Sequence, residues 1–327
     1  MNQAPPPPPG PGTARVRVLR VGVCGTDLHA FAGRQPMIRY PLVLGHELAV
    51  EVVELGPDAP PNAPLPGTLC TVVPYLSCGD CVACRRGLTN ACVQLKVLGV
   101  HVDGGLTEFL NLPANLLVPA GDLPPEQVAL VEMLAVGEHA AMRAAPEPGE
   151  PVLVVGVGPI GLAAAAALKR RGVRLALHDV SQERVAFAAA RGLGTPVKAG
   201  DEDLEGRVAE AFGGELPRLV VEATGHAGSM VAAPALLAPG GRLVLVGHTG
   251  GALPFDNQTL HRRELTVLAS RNATPSDFAN VLAGLRDGSV DVTGWVTHRA
   301  PLEDVPAALP AWVQRPAGLV KAVVEVA

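Results

Sequence analysis

VLVVGVGPIG, residues Val152 to Gly161, is a short apolar run that ends in three glycines at G-x-G-x-x-G spacing. The apolar residues suit a buried strand, and Pro159 suits the first helical turn, where its missing N–H costs nothing. A strand turning into a helix over such glycines is the pattern of a dinucleotide site. Gly156 permits the tight turn, Gly158 lets a pyrophosphate approach the backbone, and Gly161 lets helix and strand pack closely, with Pro159 and Ile160 completing the turn. Asp179 follows eighteen residues after Gly161, at the end of the next strand. A carboxylate there accepts hydrogen bonds from ribose hydroxyls and repels a 2′-phosphate, so NAD is expected over NADP, with Arg184 as a nearby opposing charge.

Outward from this turn, apolar runs alternate with Ala-rich helical segments. The strands read VRLALH (173 to 178), RLVVEA (218 to 223), RLVLVG (242 to 247) and LTVLAS (265 to 270). One helix is expected from Pro159 to Arg171, with a basic last turn and Gly172 as its left-handed cap; another starts after Ser181 and stops at Gly192. Strand-helix-strand units build a doubly wound parallel sheet, so residues 135–271 are expected to form an α/β cofactor domain. Thr224 and Gly247 are counted with its cofactor-binding candidates.

Ahead of this domain, ARVRVLRVGV (14 to 23) alternates with period two, Leu48 to Leu55 is again strand-like, and Pro57 to Gly67 is a proline-rich loop. Behind it, Thr274 and Pro275 open a helix, followed by a strand, a second helix and a final strand ending at Val326. Residues 14–134 and 272–327 are expected to form one β-rich catalytic domain. The five prolines Pro5 to Pro9 cannot enter a helix or an internal strand, so residues 1–13 read as an extended lead-in outside the fold.

At 327 residues the chain exceeds the usual size of a single core, which agrees with two domains. A net charge of -5 offers no broad basic face for phosphates or anionic lipid. Nucleic acid and membrane surfaces are therefore poor partners, and a small molecule is the better one. The run from Pro151 to Leu168 has the length of a membrane span, but its glycines and prolines break it into strand, turn and helix. No secretory leader pattern opens the sequence, so the cytoplasm is the expected compartment.

The six cysteines are strongly clustered. Cys78, Cys81, Cys84 and Cys92 are spaced C-x2-C-x2-C-x7-C, close enough to close a tetrahedron around one zinc with no position left for substrate. That is a structural site. Cys70 has no partner and reads as a small core hydrophobe. A second set is dispersed: Cys24 in CGTD, His46 and Glu47 in GHE, and Glu132 in VEMLAVG. Sulfur, nitrogen and oxygen donors together suit a catalytic zinc that keeps one position for water or substrate. Two zincs per chain are expected.

CGTDLH, GHE, the four-cysteine loop, EMLAVG, GVGPIG and HRRELTVLASRNAT occur in this order over residues 14 to 327. The chain resembles the zinc-containing medium-chain alcohol and polyol dehydrogenases, and most closely their sorbitol, threonine and L-galactonate or L-idonate branch. The resemblance implies a GroES-like β-rich catalytic domain beside a Rossmann cofactor domain. It implies that Cys24 and His46 are zinc ligands, with Glu47 and Glu132 sharing the remaining positions. Asp27 matches the carboxylate that orients the ligand histidine, Thr26 the hydroxyl that takes the substrate proton, and His29 the outer end of that relay. Arg271 falls near the nicotinamide and substrate end.

The implied reaction is hydride transfer from a secondary alcohol, a polyol or sugar acid, to NAD in a homo-oligomer, with a tetramer expected. A threonine or simple secondary alcohol dehydrogenase is the alternative on the same scaffold. A zinc-ribbon nucleic-acid binder built on the Cys78 to Cys92 loop is the alternative of another class, supported only by Arg85 and Arg86. Three departures stand out. Members of the branch usually begin with a further strand or hairpin where this chain has its proline run, which implies either a missing sheet edge or a start assigned late. Met133 follows Glu132 in place of the proline common there in the branch, and Thr68 stands where an aspartate is usual in its GDRV-like turn.

Overall fold

The structure, a computed structural model, describes residues 7–35, 38–198, 200, 203–314 and 316–327. It divides into a unit of Met1–Glu132 with Thr274–Ala327 and a unit of Met133–Ala273.

In the first unit the chain runs through β1 (Thr13–Val23), α1 (Gly25–Phe31), β2 (Glu47–Leu55), β3 (Leu69–Val72), β4 (Tyr75–Leu76), β5 (Lys96–Val97), β6 (Phe109–Pro113), β7 (Leu117–Pro119) and α2 (Pro125–Val128). The alternation in β1 turns Val16 and Val18 into the core, while Arg15 and Arg17 face outward and pair with Glu54 and Glu51 of β2. Those partly exposed pairs fix register more than they add stability. Residues 7–12 join the fold instead of standing outside it. Pro9 is buried, Asn111 donates to the Pro7 carbonyl at 2.8 Å, and Gly12 N–H donates to Pro57 at 2.7 Å. Prolines lack a donor but keep their acceptors, so an extended proline run can still dock through its carbonyls. Pro5 and Pro6 lie outside the described residues.

The second unit begins within the first turn of α3 (Val131–Ala144) and continues as β8 (Pro151–Val155), α4 (Pro159–Arg170), β9 (Arg174–His178), α5 (Gln182–Ala190), β10 (Thr195–Pro196), α6 (Leu204–Ala211), β11 (Leu219–Glu222), α7 (Ala227–Ala232), β12 (Arg242–Leu245), α8 (Asn257–Arg262) and β13 (Thr266–Ala269). Its six strands are all parallel in the order β10-β9-β8-β11-β12-β13. This is a Rossmann-type sheet: β8 sits in the middle, and the chain winds first to one side and then to the other. Ligands bind at the carboxyl end of such a reversal. Gly172 and Gly192 have positive φ after α4 and α5, and Ser181 caps α5 by accepting from Arg184 N–H at 3.4 Å.

The tail contributes α9 (Pro275–Arg286), β14 (Val296–Pro301), α10 (Val305–Val313) and β15 (Lys321–Glu325) to the first unit. Thr274 and Asp277 form a capping box at the start of α9. β15 pairs antiparallel with β1, giving a seven-stranded sheet whose path is β14-β15-β1-β2-β3-β7, with β6 also on β1. β1 is thus flanked by β15 and β2 at its C-terminal end, with Gly22 opposite both Glu47 and Val323. No helix among the described residues is long and apolar enough to cross a membrane.

Candidate active site

Among the described residues, two groups of side chains that could hold a metal ion stand in the first unit. The sulfurs of Cys78, Cys81, Cys84 and Cys92 all lie within 4.8 Å of one another. The Cys78–Cys92 and Cys81–Cys84 sulfurs are 3.5 Å apart, too long for a disulfide and close to the ~3.8 Å edge of a zinc–thiolate tetrahedron. The local backbone supplies N–H donors to sulfur: Cys78 and Gln94 to Cys92, and Cys81 to Cys78. The N–H groups of Cys84 and Val93 pull the Cys81 thiol down to about 6, which favours the thiolate a metal needs. Cys70 stands apart in the core, where burial pushes its thiol up to about 12.

The second group is made by strand register. β1 runs antiparallel to β2 with Gly22 opposite Glu47, so the residue just past the end of β1 meets the residues that open β2. Donor atoms of Cys24, His46 and Glu47 lie within 4.8 Å of one another. Cys24 is the N-cap of α1, and Asp27 in the first turn accepts from Cys24 N–H at 2.8 Å and Gly45 N–H at 3.2 Å. The same carboxylate faces His46, with Oδ1 3.6 Å from Nδ1, and Nδ1 is buried without a hydrogen-bond partner. Burial acts to lower the His46 pKa, but Asp27 and then Cys24 outweigh it and hold it well above the usual value. This environment draws positive charge. A soft, a borderline and a hard donor converging on such a spot fit zinc.

Glu132, in the first turn of α3, is not part of that set. It is buried, and it accepts a short hydrogen bond from the Tyr75 hydroxyl. Lys321 at the start of β15 reaches Glu47, with Nζ donating to Oε1 at 2.6 Å, and both side chains are 1% exposed. Gly22 between them leaves the room: a Cβ there would stand 2.1 Å from Glu47 Oε2. Burial opposes the Lys321 charge, but Glu47 outweighs it and holds the ammonium above the usual lysine range. Sequence reasoning missed both Tyr75 and Lys321. A lysine heading the buried run KAVVE was a usable sign, because a buried charge requires a partner. Thr26 is half-buried in the first turn of α1, and His29 is exposed one turn further on.

In the second unit the glycine turn is built as its spacing demands. Gly156 has φ +89, and a Cβ on Gly161 would stand 1.8 Å from the Gly156 carbonyl oxygen, whereas a Cβ on Gly158 would meet nothing within 4 Å. The space above Gly158 is what a pyrophosphate needs. Gly161→Ala should therefore push α4 off the turn and cost about 1–3 kcal/mol in urea unfolding; an unchanged midpoint would contradict the packing. Asp179 is buried with its carboxylate turned to this loop, accepting from Val157 N–H at 2.7 Å and Ser181 N–H at 2.8 Å, with Arg184 3.9 Å away. Each oxygen retains a lone pair for a further donor. Thr224 and Gly247 converge on Glu222: the Thr224 hydroxyl donates to its side chain and Gly247 N–H to its carbonyl at 3.1 Å. Pro159 and Ile160 form the first turn of α4, and Arg271 is exposed just after β13.

Residues 10–122 match the family of alcohol dehydrogenase GroES-like domains, and residues 159–286 match the zinc-binding dehydrogenases. The chain is 42% identical to the L-galactonate-5-dehydrogenase of Escherichia coli (strain K12), over 88% of this chain and 84% of that protein. It is 34% identical to the D-altritol 5-dehydrogenase of Agrobacterium fabrum, over 93% and 88%. Among solved structures, an alcohol dehydrogenase of E. coli CFT073 complexed with NADH superposes with a TM-score of 0.90 at 27% identity, covering 98% of this chain and 94% of that one. With both domain matches in place and the donor sets where such an enzyme holds metal, the chain belongs to the zinc-containing medium-chain dehydrogenases, as an NAD-linked alcohol and polyol dehydrogenase.

Proposed function

We propose that this enzyme oxidises a secondary hydroxyl of a polyol or sugar acid, with NAD as hydride acceptor and two zincs per chain. The observation that carries the reading is the convergence of Cys24, His46 and Glu47 donor atoms within 4.8 Å. These three residues would hold the catalytic zinc, and Cys78, Cys81, Cys84 and Cys92 the structural one. Bound zinc supplies Lewis acidity, which stabilises an alkoxide at neutral pH.

The protein's own groups do the rest. Asp27 faces the His46 ring, with Oδ1 3.6 Å from Nδ1, and raises its basicity by its charge. Lys321 holds the Glu47 carboxylate, with its ammonium against both oxygens. Thr26 accepts the substrate proton, and His29, exposed on the next turn of α1, passes it to solvent. The glycine turn and the N-terminus of α4 receive the pyrophosphate, and Asp179 receives the adenosine ribose. Thr224 and Gly247 are further cofactor contacts, and Arg271 serves the nicotinamide end.

The substrate class is supported by relatives named for an L-galactonate and a D-altritol activity, both at carbon 5. β13 ends the parallel sheet with exposed Thr266 and Val267 side chains, which supports assembly into a homo-oligomer. Elemental analysis together with NAD reduction across polyols, aldonic acids and threonine tests the proposal. Two zincs per chain and activity on six-carbon polyols or acids are expected. Reduction with threonine alone would replace the substrate class, and a single zinc with no reduction would remove the catalytic reading.

A further inference from the structure

Tyr75 sits where a phenol is costly to bury, and the structure shows what it does there. Its residue is 5% exposed, on the two-residue strand β4 that leads into the four-cysteine loop. Its ring packs in a T-shaped contact with that of Phe278 from α9, at a centroid distance of 6.3 Å and an interplanar angle of 77°. Buried and packed in this way, the ring presents its hydroxyl to a partner inside the protein. That partner is Glu132 Oε1, bound by a short hydrogen bond.

Glu132 is a buried carboxylate whose field reaches His46, yet it stands outside the Cys24, His46 and Glu47 set. A buried carboxylate without its hydrogen bond seeks the largest local cation, and in a loaded site that is the metal. We propose that Tyr75 is a positioning residue that anchors Glu132 beside the metal donors and outside their set, keeping the last zinc position open for the alcohol. The proposal rests on the zinc reading above. It gives Glu132 a defined resting place and makes its distance from the metal a property of Tyr75.

Tyr75→Phe tests this in the full-length protein, with Co(II) placed in the catalytic site as a visible-range reporter of coordination. The variant keeps the ring and its contact with Phe278 and loses only the hydroxyl. Release of Glu132 onto the metal should change the cobalt absorption bands, slow metal loss to a chelator, and raise the alcohol KM about tenfold with a smaller change in kcat. In Tyr75→Phe/Glu132→Gln the bands and the release rate should return toward wild type, which a merely structural role for Tyr75 would not produce. Wild-type bands and release in Tyr75→Phe overturn the proposal while leaving the zinc reading intact. Failure of the wild-type protein to take up cobalt or zinc at this site overturns both. If Tyr75→Phe does not fold, Glu132→Gln alone decides: unchanged cobalt bands in the substrate-free protein support the anchored carboxylate, and altered bands overturn it.

Discussion

Cys24→Ala is expected to lower alcohol-dependent NAD reduction by about three orders of magnitude or more while leaving NADH affinity nearly unchanged. Cys24 supplies the only sulfur of a three-donor set, and its loss leaves His46 and Glu47, a pair too small to hold zinc against water. The metal contributes several kcal/mol to the stabilisation of a developing alkoxide, and each 1.36 kcal/mol is tenfold in rate. The substitution should spare the fold. In the α1 capping box, alanine keeps the Cys24 backbone N–H on Asp27 at 2.8 Å and loses only the weak contact of the Cys24 sulfur with the Asp27 N–H. The glycine turn and Asp179 belong to the other unit, so dinucleotide binding has no reason to fall. Steady-state rates paired with NADH fluorescence titration separate the two effects. Wild-type turnover in Cys24→Ala would remove zinc from the mechanism, and a parallel loss of NADH binding would show that the variant is misfolded.

Why some of this was readable in the sequence and some was not follows from how far apart the interacting residues lie. The turn at Gly156 to Gly161 was legible because its steric demands are local: one glycine needs positive φ and another has a carbonyl against its Cα. The four-cysteine site was legible for the same reason, with all ligands within one loop. β1 announced itself by alternation, and its observed start, Thr13, is one residue from the expected Ala14. The short strands β3, β6 and β7 carry three to five residues each, too few for a period to show against proline and glycine punctuation. The choice between Glu47 and Glu132 was open because it depends on the register of β1 with β2, which no local pattern encodes. The pairing of Lys321 with Glu47 spans 274 residues and exists only once β15 has joined β1. Tyr75 and Glu132 are 57 residues apart and meet through packing alone.

That long-range ion pair carries the largest stability effect expected here. Lys321→Met keeps most of the apolar stem but leaves the Glu47 carboxylate buried without its ammonium, and removing one partner of a buried pair costs about 3–5 kcal/mol. For a folding unit the size of the first one, about 1 kcal/mol shifts Tm by 2–4 °C, so that unit of the metal-free variant should melt roughly 10 °C below the metal-free wild type. The penalty is electrostatic, so a second cation beside Glu47 should relieve it. Zinc held with Cys24 and His46 is such a cation, and the Tm deficit should shrink when both proteins are loaded. Calorimetry of the four samples checks this. A deficit equal with and without zinc would mean that Lys321 acts through packing of β15 on β1. No deficit in the metal-free pair would mean that Glu47 is protonated or hydrated when Lys321 is gone. Only a deficit that zinc repairs places Glu47 between two cations, one supplied by the chain and one by the metal.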